Sequence, residues 1–355
     1  MKFSNLRIIS FLLLSFSFLV VPFSANAEQK DKFSIAWTIY AGWMPWDYAA
    51  NAGIVKKWAD KYGIEIDVVQ INDYVESINQ YTAGQFDGCT MTNMDALTIP
   101  AAGGVDSTAL ILGDFSNGND GIVLKGKDKT LKDIKGQNVN LVELSVSHYL
   151  LARALDTIGL SERDVKVVNT SDADLVAVFN ADDVTSTVTW NPLLSEIVSM
   201  PNTSEVFDSS QIPGEIIDML VVNTETLDDN PAFGKALTGA WYEIMARMAA
   251  KDTDALTFMA KASGTDLAGY ESQLAATNMF YQAKDAVAFA EGQQLPETMK
   301  YVSEFSFDHG LLGEGAMDAG FIGIAYPDGA IVGNKENVKL RFDSSFMSMA
   351  ADGSL

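Results

Sequence analysis

The sequence predicts an α/β protein of two lobes with mostly parallel sheets. Three observations predict it. From Phe33 onward, short apolar runs alternate with segments whose apolar residues recur at helical spacing, the β-α-β-α-β rhythm of strands joined by helical crossovers. A second series of the same kind follows Val105 to Leu112, with no long linker between the two. Beyond Leu220 to Val222 the composition turns helical, which supplies layers to pack on the first series.

In order along the chain, Phe33 to Trp37 reads as a strand, Tyr48 to Tyr62 as a helix stopped by Gly63, and Glu65 to Gln70 as an alternating strand. Asp73 caps the next helix, with Glu76 three residues on completing a capping box and Gly84 ending it. Asp87 to Met91 is a strand, and Thr92-Asn93-Met94-Asp95 opens a helix. In the second series Gly121 to Leu124 and Asn138 to Val142 are strands, and Lys125 to Gln137 between them is a polar loop with a short helix. Ser145 or Ser147 caps a helix running to Thr157, closed by Gly159. Val165 to Val168, Leu175 to Phe179 and Ser186 to Thr189 continue the alternation. Pro231 to Ala250 is amphipathic, further helices are expected at Ala255 to Lys261 and Pro296 to Phe305, and the last dozen residues are expected to be loosely ordered.

Lys2 and Arg7, the apolar stretch Ile8 to Val21 and Ala25-Asn26-Ala27 have the form of a cleaved secretory signal over residues 1–27, with no Cys beside the cut to take a lipid. That predicts an exported, unanchored protein. A net charge of −23 disfavours nucleic acid and anionic membranes as partners and favours cationic solutes at a distance. Cys89 is the sole cysteine, so no internal disulfide forms, and its apolar setting predicts a buried small hydrophobe. With two histidines beside it, a zinc site of Cys and His is not expected, nor is a cofactor. His148, on the first turn of its helix, reads as a packing or surface residue.

The stretch Thr38 to Tyr48 stands out: four aromatic rings, Gly42, Pro45 and Asp47 directly follow a strand, where ligands sit in open α/β sheets. If the strands end as placed, this loop converges with Asn72-Asp73-Tyr74, Thr92 to Asp95, Asp114 to Asp120, Glu143 to Tyr149, Trp190-Asn191 and Asp218. These segments carry rings and acids and no Lys or Arg. An anion would meet repulsion there, whereas rings and carboxylates suit an organic cation. The candidate set is Tyr40, Trp43, Trp46, Asn93, Asp95, Asp120, Glu143, Trp190, Asn191 and Asp218, with Trp43 ahead of Trp46. In it Trp43, Trp46 and Trp190 form faces, Asp95 and Glu143 supply charge, and Asn93 and Asn191 orient. Asp73 reads as a cap, and at least one of Asp114 and Asp120 as structural.

The signal segment, the two-series alternation, Asn72-Asp73-Tyr74 through Asp87-Gly88-Cys89-Thr90-Met91-Thr92-Asn93, and Ser116-Asn117-Gly118-Asn119-Asp120-Gly121-Ile122-Val123 resemble the solute-binding proteins of nitrate/sulfonate/taurine-type ABC transporters. Gly42-Trp43-Met44-Pro45-Trp46 and Asn93-Met94-Asp95-Ala96 are similar to the subgroup associated with urea carboxylase and guanidine use. The resemblance implies a type II periplasmic binding fold with crossovers near Leu112 to Leu124 and Ile217 to Asn223. It divides the chain into residues 28–117 and 221–355 for one lobe and 118–220 for the other. It also implies a periplasmic monomer without enzymatic activity that delivers a small solute, guanidinium or a urea-like compound, to a membrane permease and ATPase. The alternatives are an anion or pyrimidine-like ligand, a sensor module, or a cofactor-biosynthesis enzyme of the same fold.

Overall fold

The computed structural model describes residues 30–355; the signal-segment reading of residues 1–27 lies outside the described residues. The strands are β1 Lys32–Trp37, β2 Glu65–Gln70, β3 Gly88–Thr92, β4 Ser107–Ser116, β5 Asp120–Lys125, β6 Asn138–Leu141, β7 Lys166–Asn169, β8 Ser186–Trp190, β9 Thr203–Asp208, β10 Ile217–Asn223, β11 Thr277–Met279, β12 Gly323–Ala325, β13 Ile331–Val332 and β14 Val338–Phe342. They form a large sheet in the order β13-β12-β14-β4-β10-β3-β1-β2, with β11 on β4, and a small sheet in the order β7-β6-β8-β5-β9.

The α/β class expected from the alternation is found, with mixed rather than mostly parallel sheets. β1 pairs in parallel with β2 and β3, and β6 with β7 and β8. β10 is antiparallel to both β3 and β4, and β5 to both β8 and β9. The reason is connectivity. β4 leaves the large sheet at its carboxyl end and leads into β5, and β10 returns from the small sheet to that same end, so it must run the other way. The carboxyl ends of β1, β3 and β4 and the first residues of β5 and β10 thereby meet at one junction, the usual ligand position in such sheets.

Local chemistry sets the boundaries. The helix expected over Tyr48 to Tyr62 is two helices, Met44–Asn51 and Ile54–Tyr62, divided at Gly53, whose φ of 72° lies in the left-handed region. Pro45 in the first turn of Met44–Asn51 needs no N–H partner there. Asp73 caps Tyr74–Thr82 by accepting the Glu76 N–H at 2.9 Å, but the Glu76 carboxylate takes Gln80 Nε2 instead of closing the box. Ser145, not Ser147, caps Val146–Thr157. Pro231–Ala249 buries Phe233, Leu237, Trp241, Ile244 and Met248, and is the longest helix among the described residues. The C-terminus departs from expectation: β12 to β14 extend the large sheet beyond β4, and Ser345–Asp352 is a helix that buries Phe346 and Met347. Cys89 is buried, as expected, with its thiol pushed up to about 12 by loss of water.

Candidate functional site

The loop after β1 turns back at Tyr40, whose carbonyl accepts the N–H groups of Trp43 and Met44 at 2.9 and 3.1 Å. This tight turn aims two rings inward. Tyr40 and Trp43 meet edge to face at 5.0 Å, Trp43 stacks on Tyr74 at 5.8 Å, and Tyr74 meets Trp190 edge to face at 5.5 Å. These four rings, with Thr92, Asp120, Val146 and Asp218, line a cavity. As the rings stand, the cavity is about 10 Å³, on the order of the room one water molecule needs. No lining residue is basic.

Both sheets contribute. Trp190 ends β8 and pairs with Asp120 at the start of β5, while Asp218 near the start of β10 lies between Thr92 of β3 and Asp114 of β4. The two sides touch around the cavity. Trp190 Nε1 donates to the Ile39 carbonyl at 3.3 Å, the Ala41 N–H to the Asn191 carbonyl at 3.3 Å, and the Tyr74 N–H to Asp172 at 3.2 Å. Ser171 Oγ donates to Asp73 at 2.7 Å. Asp73 is thus both a helix cap and a contact between the sides.

Four acids sit in or behind this cavity with almost no exposure: Asp95 and Asp114 at 0%, Asp218 at 2% and Asp120 at 3%. Asp95 Oδ2 accepts Tyr74 Oη at 2.7 Å and Thr92 Oγ1 at 2.8 Å, whereas its Oδ1 has no partner. Tyr40 Oη donates to Asp114 Oδ1 at 3.0 Å. Oδ2 of Asp114 and Oδ2 of Asp218 have no hydrogen-bond partner. Loss of water pushes Asp95 up to about 6 against the pull of its Tyr74 and Thr92 bonds. Burial likewise lifts Asp114 and Asp120 to about 7, and Asp218 well above the carboxylate range with the Asp114 charge adding to it. Such a site holds protons when empty of cations and gives them up to a cation that enters.

Of the sequence candidates, Tyr40, Trp43, Asp120, Trp190 and Asp218 line the cavity, and Asp95 stands directly behind Tyr74 and Thr92. Four do not. Glu143 is exposed, because the turn carries Leu144 at a φ of 63° and points outward. Trp46 is a core residue, its ring 5.1 Å from that of Trp241. Asn93 ties β10 to the helix after β3, accepting the Ile217 N–H at 3.0 Å and donating to the Glu215 carbonyl at 3.1 Å. Asn191 Oδ1 accepts the Ser195 N–H at 2.9 Å. Asp114, Tyr74, Thr92 and Val146 belong to the site but not to the candidate set. Asp114 could have been found from its spacing: it lies one β-strand end away from Asp120, across the Ser-Asn-Gly-Asn turn.

Residues 36–262 match the profile of the NMT1-like family. Binding proteins of Brucella abortus and Brucella suis, whose names give binding as an inferred role, are 23% identical over 221 residues, covering 60% of this chain and 67% of theirs. Among solved structures, the alkanesulfonate-binding protein SsuA from Xanthomonas axonopodis pv. citri, bound to MOPS, superposes with a TM-score of 0.67 at 16% identity, over 82% of this chain and 98% of that one. The periplasmic nitrate-binding protein NrtA from Synechocystis PCC 6803 gives 0.66 at 14% identity, over 92% and 90%. At these identities the likeness establishes the periplasmic binding protein fold.

Proposed function

Because the chain belongs to the NMT1-like family, we propose that it is the periplasmic solute-binding component of an ABC importer, and that its solute is a small donor-bearing cation, guanidinium. The observation that carries this reading is the cavity itself: Tyr40, Trp43, Tyr74 and Trp190 around Asp120 and Asp218, with no basic lining residue. A sulfonate or nitrate would face carboxylates with nothing to neutralise it. A planar guanidinium offers faces to the rings and N–H groups to the acids, and each cation–π contact contributes about 0.5–2 kcal/mol.

In this reading residues 28–117 and 221–355 form one lobe and 118–220 the other, and they close over the solute as a monomer. Trp43 and Trp190 supply opposing walls. Asp120 and Asp218 supply charge, and Asp95 holds Tyr74 in place. The closed complex hands the solute to a permease and its ATPase and does no chemistry of its own. Similarity to binding proteins rather than enzymes supports the last point. A thermal-shift series with guanidinium, urea, taurine and nitrate tests the proposal. A ligand that binds only the folded state raises Tm with concentration; guanidinium is expected to do so at low millimolar levels, and a response to taurine or nitrate alone refutes the assignment.

A further inference from the structure

Among the described residues the chain passes between the two sheets twice, from β4 to β5 around residues 116–120 and from β9 to β10 around residues 208–217. A serine from each passage meets the other. Ser116 Oγ and Ser209 Oγ are 2.6 Å apart, and both residues are wholly buried.

Both hydroxyls reach the turn that carries Asp120, an acid of the cavity lining. Ser209 Oγ accepts the Gly118 N–H at 2.8 Å and the Asp120 N–H at 3.4 Å, and Ser116 Oγ accepts the same Asp120 N–H at 3.2 Å. The turn is anchored on every side. The Ser116 N–H donates to the Ile216 carbonyl at 2.9 Å, the Asn117 N–H to the Ala276 carbonyl at 3.0 Å, and the Asn119 carbonyl accepts the Asn191 N–H at 2.9 Å.

A hydroxyl has one proton and two lone pairs, and counting them gives the direction of each bond. Both lone pairs of Ser209 Oγ are taken by the N–H groups of Gly118 and Asp120, so its own proton goes to Ser116. Ser116 Oγ then accepts that proton and the Asp120 N–H, which fills its lone pairs as well. Its proton is left to be given away. Burial lifts the Asp120 carboxyl to about 7, the Ser116 hydroxyl pulls it back, and the Asp95 charge pushes it up again. Donation therefore runs from Ser209 to Ser116 to Asp120.

The charged groups facing Asp120 are acids. Asp114, Asp218 and Tyr40, each lifted first by burial, are raised further by the Asp120 charge. On β9, paired with β5, Asp208 Oδ1 takes the Ser210 N–H at 2.8 Å, and burial lifts Glu205 to about 6. With no basic residue in the lining, hydrogen-bond donors are what favour a charged Asp120.

We propose that Ser116 and Ser209 are positioning residues for Asp120: one hydroxyl from each passage grips its N–H, and the Ser209 proton turns the Ser116 proton toward its carboxyl, fixing where negative charge stands when a solute enters. The inference rests on Asp120 as a solute acid. It ties the charge in the cavity to the place where both passages between the sheets meet.

Carboxyl ¹³C NMR of the aspartate-labelled, solute-free protein from pH 4 to 9, with Asp120→Asn for assignment, tests it. Asp120 should titrate about half a pH unit or more higher in Ser116→Ala, where a donor to the charged form is gone, and higher by a smaller step in Ser209→Ala. Ser209→Thr, which keeps the hydroxyl, should restore the wild-type midpoint. A merely structural role lowers Tm and leaves the midpoint in place, so a midpoint unmoved in both alanine variants overturns the proposal. In the wild type the two serine hydroxyl protons should resist exchange with water; exchange as fast as that of an exposed serine overturns it even if no variant folds. Guanidinium affinity at pH 6.5 should fall by about threefold in Ser116→Ala, the equivalent of half a pH unit. No guanidinium binding to the wild type, with the Asp120 midpoints moving as stated, refutes the solute and supports the positioning.

Discussion

Asp114 and Asp218 stand opposite each other on the antiparallel pair β4–β10, where the Asp114 charge helps lift Asp218 well above the carboxylate range, and Tyr40 Oη donates to Asp114 Oδ1 at 3.0 Å. Such a pair takes one negative charge readily and the second only when a cation is present. Together with Asp120, it makes the cavity a place where protons and solute compete.

Solute binding is therefore expected to release protons. Between pH 5 and 8 guanidinium affinity should rise, since the free site holds Asp95 near 6 and Asp114 and Asp120 near 7. Calorimetry in two buffers of different ionisation enthalpy near pH 6 measures the release directly. Identical heats after buffer correction, with no proton released, would refute the linkage.

The same acids cost the solute-free protein stability as pH rises. The sign follows from the raised native values: between about 4 and 7 the unfolded chain loses protons that the native state keeps, so unfolding becomes easier with increasing pH. For Asp120, lifted from 3.8 to about 7, the penalty is up to roughly 4 kcal/mol once both states are ionised. Asp120→Asn should therefore raise Tm at pH 8, leave it nearly unchanged at pH 4, and abolish most solute affinity.

Trp43 and Trp46 separate binding from packing. Trp43→Leu should weaken guanidinium by about 2- to 30-fold, the range of one cation–π contact, with little change in fold. Trp46→Ala removes a core ring packed at a tilt against Trp241 and should cost about 3–5 kcal/mol of stability. Denaturant titration and calorimetry on the pair read the two effects.

Glu143→Gln should leave solute affinity within twofold, because the side chain is exposed and outside the cavity. Gly42→Ala should do the opposite. A methyl at residue 42 would run into Asp114 Oδ2 and the Tyr40 ring, displacing both, and at least tenfold of affinity should go with them. Parallel calorimetric titrations compare the two.

The sequence made much of the frame legible because its strands are bounded by strong punctuation. β2 matches Glu65 to Gln70 residue for residue, and Asp73, Gly63 and Gly159 mark helix ends as expected. Sheet mixing was not legible, since it depends on which end β10 enters, a matter of long-range connectivity. Glu143 and Asp95 carry the same local signature, an acid between a strand and a helix; only the left-handed turn at Leu144 sends one outward. Asp114 was legible only as an acid flanking the Ser-Asn-Gly-Asn turn, because β4 extends to Ser116 and places it within a ladder rather than on the turn itself. The strands β12 and β13, three and two residues long, have too few residues for an alternation to register.

The central claim is that this cavity selects a small cation against the anions bound by proteins of the same fold. Isothermal titration of the protein with guanidinium, taurine and nitrate at pH 8, repeated on Asp120→Asn, tests it most directly. Saturable one-to-one binding of guanidinium alone, lost in the variant, is the predicted result; saturable binding of nitrate or taurine with no heat from guanidinium would contradict it.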